Sequence, residues 1–150
     1  MKVVIQRVTH ASVTIEKVLK SSIEKGMLIL LGVADSDGKE DADWLVKKIA
    51  ALRIFDGDAG VMNLSVQDID GEVLVVSQFT LLASTKKGNR PSYIHAAKHE
   101  ISIPLYEYFC TKLSDEMGKN VARGEFGANM KVQLLNDGPV TICMDTKNKE

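Results

Sequence analysis

The sequence predicts a mixed α/β domain with more strands than helices, a class set by three patterns along the chain. β-branched runs stand near both ends, a continuous apolar stretch covers Met27 to Ala34, and two segments carry apolar residues at helical spacing. Val3–Val8 and Ala11–Glu16 are strand-like, the second alternating apolar and polar, and the short break between them predicts an antiparallel pair. Met27–Ala34 reads as a strand covered on both faces, followed by turn residues at Asp35–Gly38. From Lys39 on, Trp44, Leu45, Lys48, Ile49 and Leu52 recur at three- and four-residue spacing, with Glu40, Asp41 and Asp43 where a helix dipole favours acids. An amphipathic helix ending near Arg53 follows from that spacing. After a Gly- and Asp-rich stretch from Asp56 to Gly71, Glu72–Ser77 reads as another buried strand.

Thr85–Ser92 is polar and basic, with Gly88 and Pro91 too close together for a helix or a central strand, so it is a loop. A second helix is expected to begin near Pro104, run through Leu105, Tyr108, Phe109 and Leu113, and stop at Gly118. Met130–Leu135 and Val140–Met144 are alternating strand-like runs separated by Asn136–Pro139, where a tight connection or a sharp bend belongs. Thr146–Glu150 reads as a solvated tail.

With 150 residues the expectation is one domain over 1–150, which buries about 70% of the unfolded chain's surface. The 45% apolar and 26% charged content excludes the disordered classes. No apolar run approaches the roughly 20 residues that span a bilayer, and Gln6 and Arg7 interrupt any leader-like stretch, so a cytoplasmic location and no membrane partner are expected. A net charge of −1, from 19 basic and 20 acidic residues, argues against a broad electrostatic footprint on a nucleic-acid duplex; any RNA would be held at a small local site. Cys110 and Cys143 lie in apolar surroundings and read as buried, reduced thiols. No His, Cys, Asp or Glu cluster has ligand spacing, so neither a metal nor another cofactor is expected. His10, His95 and His99 fall in polar contexts and read as solvated.

Three polar segments stand out where the fold changes direction: Ser77-Gln78-Phe79-Thr80-Leu81, Gly88-Asn89-Arg90-Pro91-Ser92 and Asn136-Asp137-Gly138-Pro139-Val140-Thr141. Each has an ordinary reading. Ser77–Thr80 can simply cap a strand end, and Gly138-Pro139 can be a hairpin turn. Together with Gln6-Arg7-Val8, Ala11-Ser12-Val13 and Gly124-Glu125-Phe126, however, they closely resemble the D-aminoacyl-tRNA deacylase family, in that family's order from residue 1 to about 145.

The resemblance implies a barrel-like strand-rich sheet with two main helices, and hydrolysis of the ester between a D-amino acid and the tRNA 3′ end by a homodimer without DNA. It also implies that Ser77, Gln78, Phe79 and Thr80 form the active-site strand, with Gln78 and the Phe79 amide beside the scissile ester. Gly138 and Pro139 correspond to a cis Gly-Pro motif that enters the partner subunit's site and rejects L-residues, and Arg7 to the arginine that holds it. Arg7 read alone is an edge-strand surface charge. Phe126 either lines the pocket near the terminal adenine or packs in the core. Lys86, Lys87 and Arg90 either neutralise phosphates of the tRNA 3′ end or form a solvated loop.

Thr80 invites a nucleophile assignment, but a hydroxyl needs an adjacent base and none is evident in the sequence. The resemblance instead implies catalysis assisted by the terminal 2′-hydroxyl of the tRNA, and extension to glycyl-tRNA. A non-catalytic tRNA-end binding module and a general esterase are the competing classes. Glu16–Ser22 departs from the family's common sequence, which touches only a loop geometry.

Overall fold

The computed structural model describes residues 1–150. In chain order the strands and helices are β1 (Lys2–Ile15), β2 (Val18–Ile23), β3 (Gly26–Gly32), α1 (Lys39–Ala51), β4 (Phe55–Asp56), β5 (Met62–Leu64), β6 (Glu72–Ser77), α2 (His99–Met117), β7 (Ala122–Arg123) and β8 (Lys131–Asp145). The main sheet runs β2-β1-β3-β6-β7, with β8 on the other edge of β1. The β3–β6 and β6–β7 pairs are parallel and those of β1 antiparallel. Ser21 Oγ donates to the Arg123 carbonyl at 2.7 Å, linking β2 to β7 and so joining the two ends of that order. The fold is therefore mixed α/β, with a barrel-like sheet and two helices.

Period-two alternation in β3 and β6 sorts their side chains into two cores. Met27, Ile29, Leu31, Val73 and Val75 face the helices α1 and α2 in the larger cluster. Leu28, Leu74 and Val76 face inward with Val8, Val13 and Ile23 in the smaller one, against which Met130 and Val132 pack. Burial on both faces is why β3 reads as a continuous apolar run.

Several expectations are corrected. Val3–Val8 and Ala11–Glu16 are not a pair but one strand, β1, whose first half pairs with β3 and second half with β2. Thr9 and His10 look like a break because both are exposed where the β1–β8 register shifts. Glu16 and Lys17, with φ of 49° and 66°, make the tight turn into β2, so Glu16–Ser22 is a hairpin more than a loop. The Gly- and Asp-rich stretch contains the small β4–β5 hairpin, and β7 was not anticipated.

Helix α2 starts at His99, five residues before Pro104, because the Lys98 carbonyl accepts from the amides of Ile101 and Ser102, each at 2.9 Å. Pro104 lies inside the helix, tolerated because its fixed φ is helical and only the carbonyl of exposed Glu100 loses a donor. The end is as expected: Gly118, at φ 68°, takes the left-handed conformation that closes the helix. Met130–Leu135 and Val140–Met144 belong to a single strand, β8, which follows β1 from Thr14 to Lys2. Thr146 is no solvated tail residue; it is buried, and its amide donates to the Met1 carbonyl at 2.9 Å.

Cys110 is fully buried in the larger core, and desolvation pushes its thiol up to about 12. Cys143 is exposed, contrary to expectation, because alternation along β8 turns Val140, Ile142 and Met144 toward the sheet's packed side and Thr141 and Cys143 away. A thiol reagent at pH 8 should therefore label one cysteine in the native protein and both after unfolding. Native labelling that survives Cys143→Ser would contradict this assignment.

Candidate functional site

Strand β6 ends where the smaller core opens into a cavity of ≈ 620 Å³. Ser77, Gln78 and Phe79 form one part of its lining, and Lys98, His99 and Phe126 another. Phe126 both lines this cavity and packs against the larger core.

The strand end is held from three directions. The Gln78 amide donates to the Leu31 carbonyl at 2.8 Å, extending the β3–β6 ladder one step past Ser77. A single 3-10 turn, Phe79–Leu82, then follows, closed by the bonds from Leu81 N to Gln78 O and from Ala83 N to Thr80 O. The Phe79 and Thr80 amides, first in the turn, have no partner within it, the usual state of leading amides in a helical turn. The Val75 carbonyl accepts from the Gly124 amide and from the Tyr106 hydroxyl, each at 3.0 Å. Tyr106 is buried, which pushes its phenol above the ordinary value, and it meets the Phe126 ring edgewise at 5.7 Å. One carbonyl thus ties α2 and the segment leading to Phe126 to the strand that carries Ser77.

Thr80 does not line the cavity; its Oγ1 accepts from Gln78 Nε2. No acidic or histidine side chain is hydrogen-bonded to Ser77, Gln78 or Thr80. Phe79 is 55% exposed and stands edgewise to Tyr93 at 5.0 Å. His99 is solvated as expected, yet it lies in the cavity wall, edgewise to Phe126 at 5.6 Å. Lys98 and His99 were missed as site residues because they fall outside the matching segments. No sequence signal marked them, because the helix was expected to begin near Pro104 and their place at its N-terminus emerges only in the structure. Lys86, Lys87 and Arg90 are exposed and do not line the cavity.

Arg7 and Gly138-Pro139 form a second locus. The β1–β8 register jumps from Gln6↔Thr141 to Val8↔Asn136, so Asp137–Val140 bulge out opposite Arg7. The Gly138-Pro139 peptide bond is cis, and both residues are exposed. This is a bend within one strand pair, not a hairpin turn. Arg7 is no surface charge: it is 7% exposed, with Nε donating to the Asp137 carbonyl at 2.9 Å and Nη1 to the Ile54 carbonyl at 2.7 Å. Carboxylates of Asp56 and Asp137 lie 3.5 Å from the guanidinium. Gly138 is at φ 130°, and a Cβ there would stand 3.0 Å from Arg7 Nη2, so backbone and arginine are mutually fitted. Neither Gly138 nor Pro139 lines the cavity of its own chain.

This is the fold of the D-amino acid tRNA deacylases. A solved structure described as a probable eukaryotic D-amino acid tRNA deacylase superposes with TM-score 0.82 at 16% identity, over 95% of this chain and 97% of that one. A second solved structure, described as the c-Myc DNA unwinding element binding protein, is 39% identical with TM-score 0.89, over 97% and 98% of the two chains. Among curated relatives, the D-aminoacyl-tRNA deacylases of Bacteroides thetaiotaomicron and Phocaeicola vulgatus are 70% and 67% identical over 100% of both chains. The family model described as D-Tyr-tRNA(Tyr) deacylase matches residues 4–145, and the chain belongs to that family.

Arg7→Ala should destabilise the protein by about 3 kcal/mol, since it strips donors from two largely buried carbonyls. Urea denaturation with an unchanged m-value is the check, and a loss under about 0.5 kcal/mol would show that the bulge holds itself.

Proposed function

We propose that this chain, a deacylase by family, hydrolyses the ester between a D-amino acid and the terminal ribose of tRNA, acting as one catalytic unit in a cytoplasmic homodimer. The observation that carries the mechanism is the composition of the strand end: a cavity beside leading backbone amides and Gln78, with no base paired to a hydroxyl. Such a site offers placement and hydrogen-bond donors, not a protein nucleophile. The ester carbonyl accepts from the Phe79 amide while Ser77 and Gln78 orient it. Water adds to the carbonyl carbon, with the neighbouring 2′-hydroxyl relaying its proton. The bond to the ribose 3′-oxygen breaks, that oxygen takes up the proton, and free amino acid and tRNA leave. An amide aimed at the developing oxyanion contributes on the order of 3 kcal/mol of barrier lowering, a useful share of the rate.

Chirality falls to Gly138-Pro139. The pair is exposed and does not line its own chain's cavity, so it serves as a selectivity element when a second copy brings it to the ester. Main-chain atoms set opposite the α-carbon leave room for hydrogen but not for an L-side chain, while a D-side chain points outward. Many D-residues then fit, and glycine, with nothing to clash, enters as well. Arg7 keeps this wall in place through the Asp137 carbonyl. Lys86, Lys87 and Arg90, exposed outside the cavity, serve nucleotides upstream of it.

Purified protein, incubated with D- and L-tyrosyl-tRNA in the presence of a chelator, should release D-tyrosine with multiple turnover and leave the L-ester intact. Stoichiometric binding without release would reassign the chain as a tRNA-end binding module. Substrate ending in 2′-deoxyadenosine should react at least about 100-fold more slowly, the loss expected when a group acting only in the transition state is removed. Thr80→Ala and His99→Ala should each stay within about tenfold of wild-type kcat. Losing a true nucleophile or base costs on the order of 10⁴- to 10⁶-fold, and a drop of that size in either folded variant refutes the substrate-assisted route.

A further inference from the structure

The cavity's lining includes one lysine, Lys98, beside His99, and no carboxylate. The Lys98 ammonium forms no ion pair, and what sets it apart from the other unpaired lysines and arginines is its place in the cavity lining. The fold uses only the backbone of this residue. Its carbonyl accepts from the amides of Ile101 and Ser102 at 2.9 Å and from Ser102 Oγ at 3.0 Å, while its side chain makes no capping hydrogen bond. Lys98 is exposed at the cavity's edge on a fixed backbone, and a cation there with no carboxylate in the lining favours an anionic ligand group, more so once the ligand displaces water.

We propose that Lys98 binds the phosphodiester on the 5′ side of the substrate's terminal nucleoside, and so sets the direction in which the nucleic-acid end enters. This rests on the functional reading above and deepens it. Within an aminoacyl nucleoside the ester, ribose and base are uncharged and the α-amino group is cationic. The nearest anion is therefore that phosphodiester. Lys86, Lys87 and Arg90 do not take this role. They sit on the loop whose stem is closed by the Ser84–Ser92 bonds of 2.8 and 2.9 Å, outside the lining.

The test is binding of two non-hydrolysable amides, 3′-deoxy-3′-(D-tyrosylamino)adenosine and the same compound extended by a 5′-cytidylyl phosphodiester. Wild type should bind the extended compound about tenfold more tightly, the scale of one charge-assisted contact. Lys98→Ala should lose that gain while holding the bare nucleoside within about twofold, and Lys98→Arg should keep most of it. The proposal is overturned if Lys98→Ala binds the extended compound as wild type does, if it weakens both compounds equally, or if wild type binds neither. It is also overturned if the variant weakens only a D-aspartyl nucleoside, which would make the anion an acidic side chain. Hydrolysis of the ester counterparts by wild type is scored separately: if they are bound with this pattern but not cleaved, the functional reading fails and the phosphate assignment stands.

Discussion

The pairing of β1 with β8 organises this protein, together with the single place where that pairing is interrupted. The two strands run antiparallel from Lys2↔Asp145 to Thr14↔Lys131, and β1 carries β2 and β3 on its opposite edge. Had the ladder continued without a break, Gly138 and Pro139 would be ordinary edge-strand residues. The bulge opposite Arg7 ejects them, and the buried guanidinium occupies the space between the bulge and the Ile54 carbonyl. A planar donor fork suits that role, since it serves carbonyls on two elements at once. The exposed Gly138-Pro139 pair is thus supported from below by an element that itself cannot move without unpairing β1.

The cavity at the end of β6 depends on a comparable economy at Val75. Its carbonyl bonds the Tyr106 hydroxyl and the Gly124 amide, which fixes α2 and the approach to Phe126 relative to the end of β6. The cavity is consequently a gap between elements that are each tied to one strand. Rigid support of this kind matters most for a site that works by placement of donors, where a displacement of about 1 Å forfeits much of the effect. The proposed division of labour follows: β6 presents the ester, Lys98 and Phe126 receive the nucleotide, and a second copy supplies the wall that reads handedness.

Elements defined by local pattern were legible in the sequence. Strand β3 and strand β6 announce themselves by apolar runs, and α1 by Trp44, Leu45, Ile49 and Leu52 with acids in its first turn. What was not legible depended on partners far away in the chain. Thr9-His10 and Asn136–Pro139 both look like turns, and only the long-range register shows that each is an irregularity within one strand. Pro104 masked the true start of α2, because its missing donor falls on an exposed carbonyl where little is lost. Cys143 looked buried because its neighbours Ile142 and Met144 are apolar and partly buried, although alternation sends it to the opposite side. In the site, the motif segments marked β6 and the bulge, while Lys98 and His99 entered the cavity through the geometry of α2.

In the proposed function, handedness is read by main-chain atoms contributed by a second copy. A crystal structure with 3′-deoxy-3′-(D-tyrosylamino)adenosine bound tests it most directly. The ligand's amide carbonyl should lie beside the Phe79 amide and the partner's Gly138-Pro139 against the α-carbon, with the D-side chain directed outward. A bound ligand approached by Gly138-Pro139 from neither copy would contradict it.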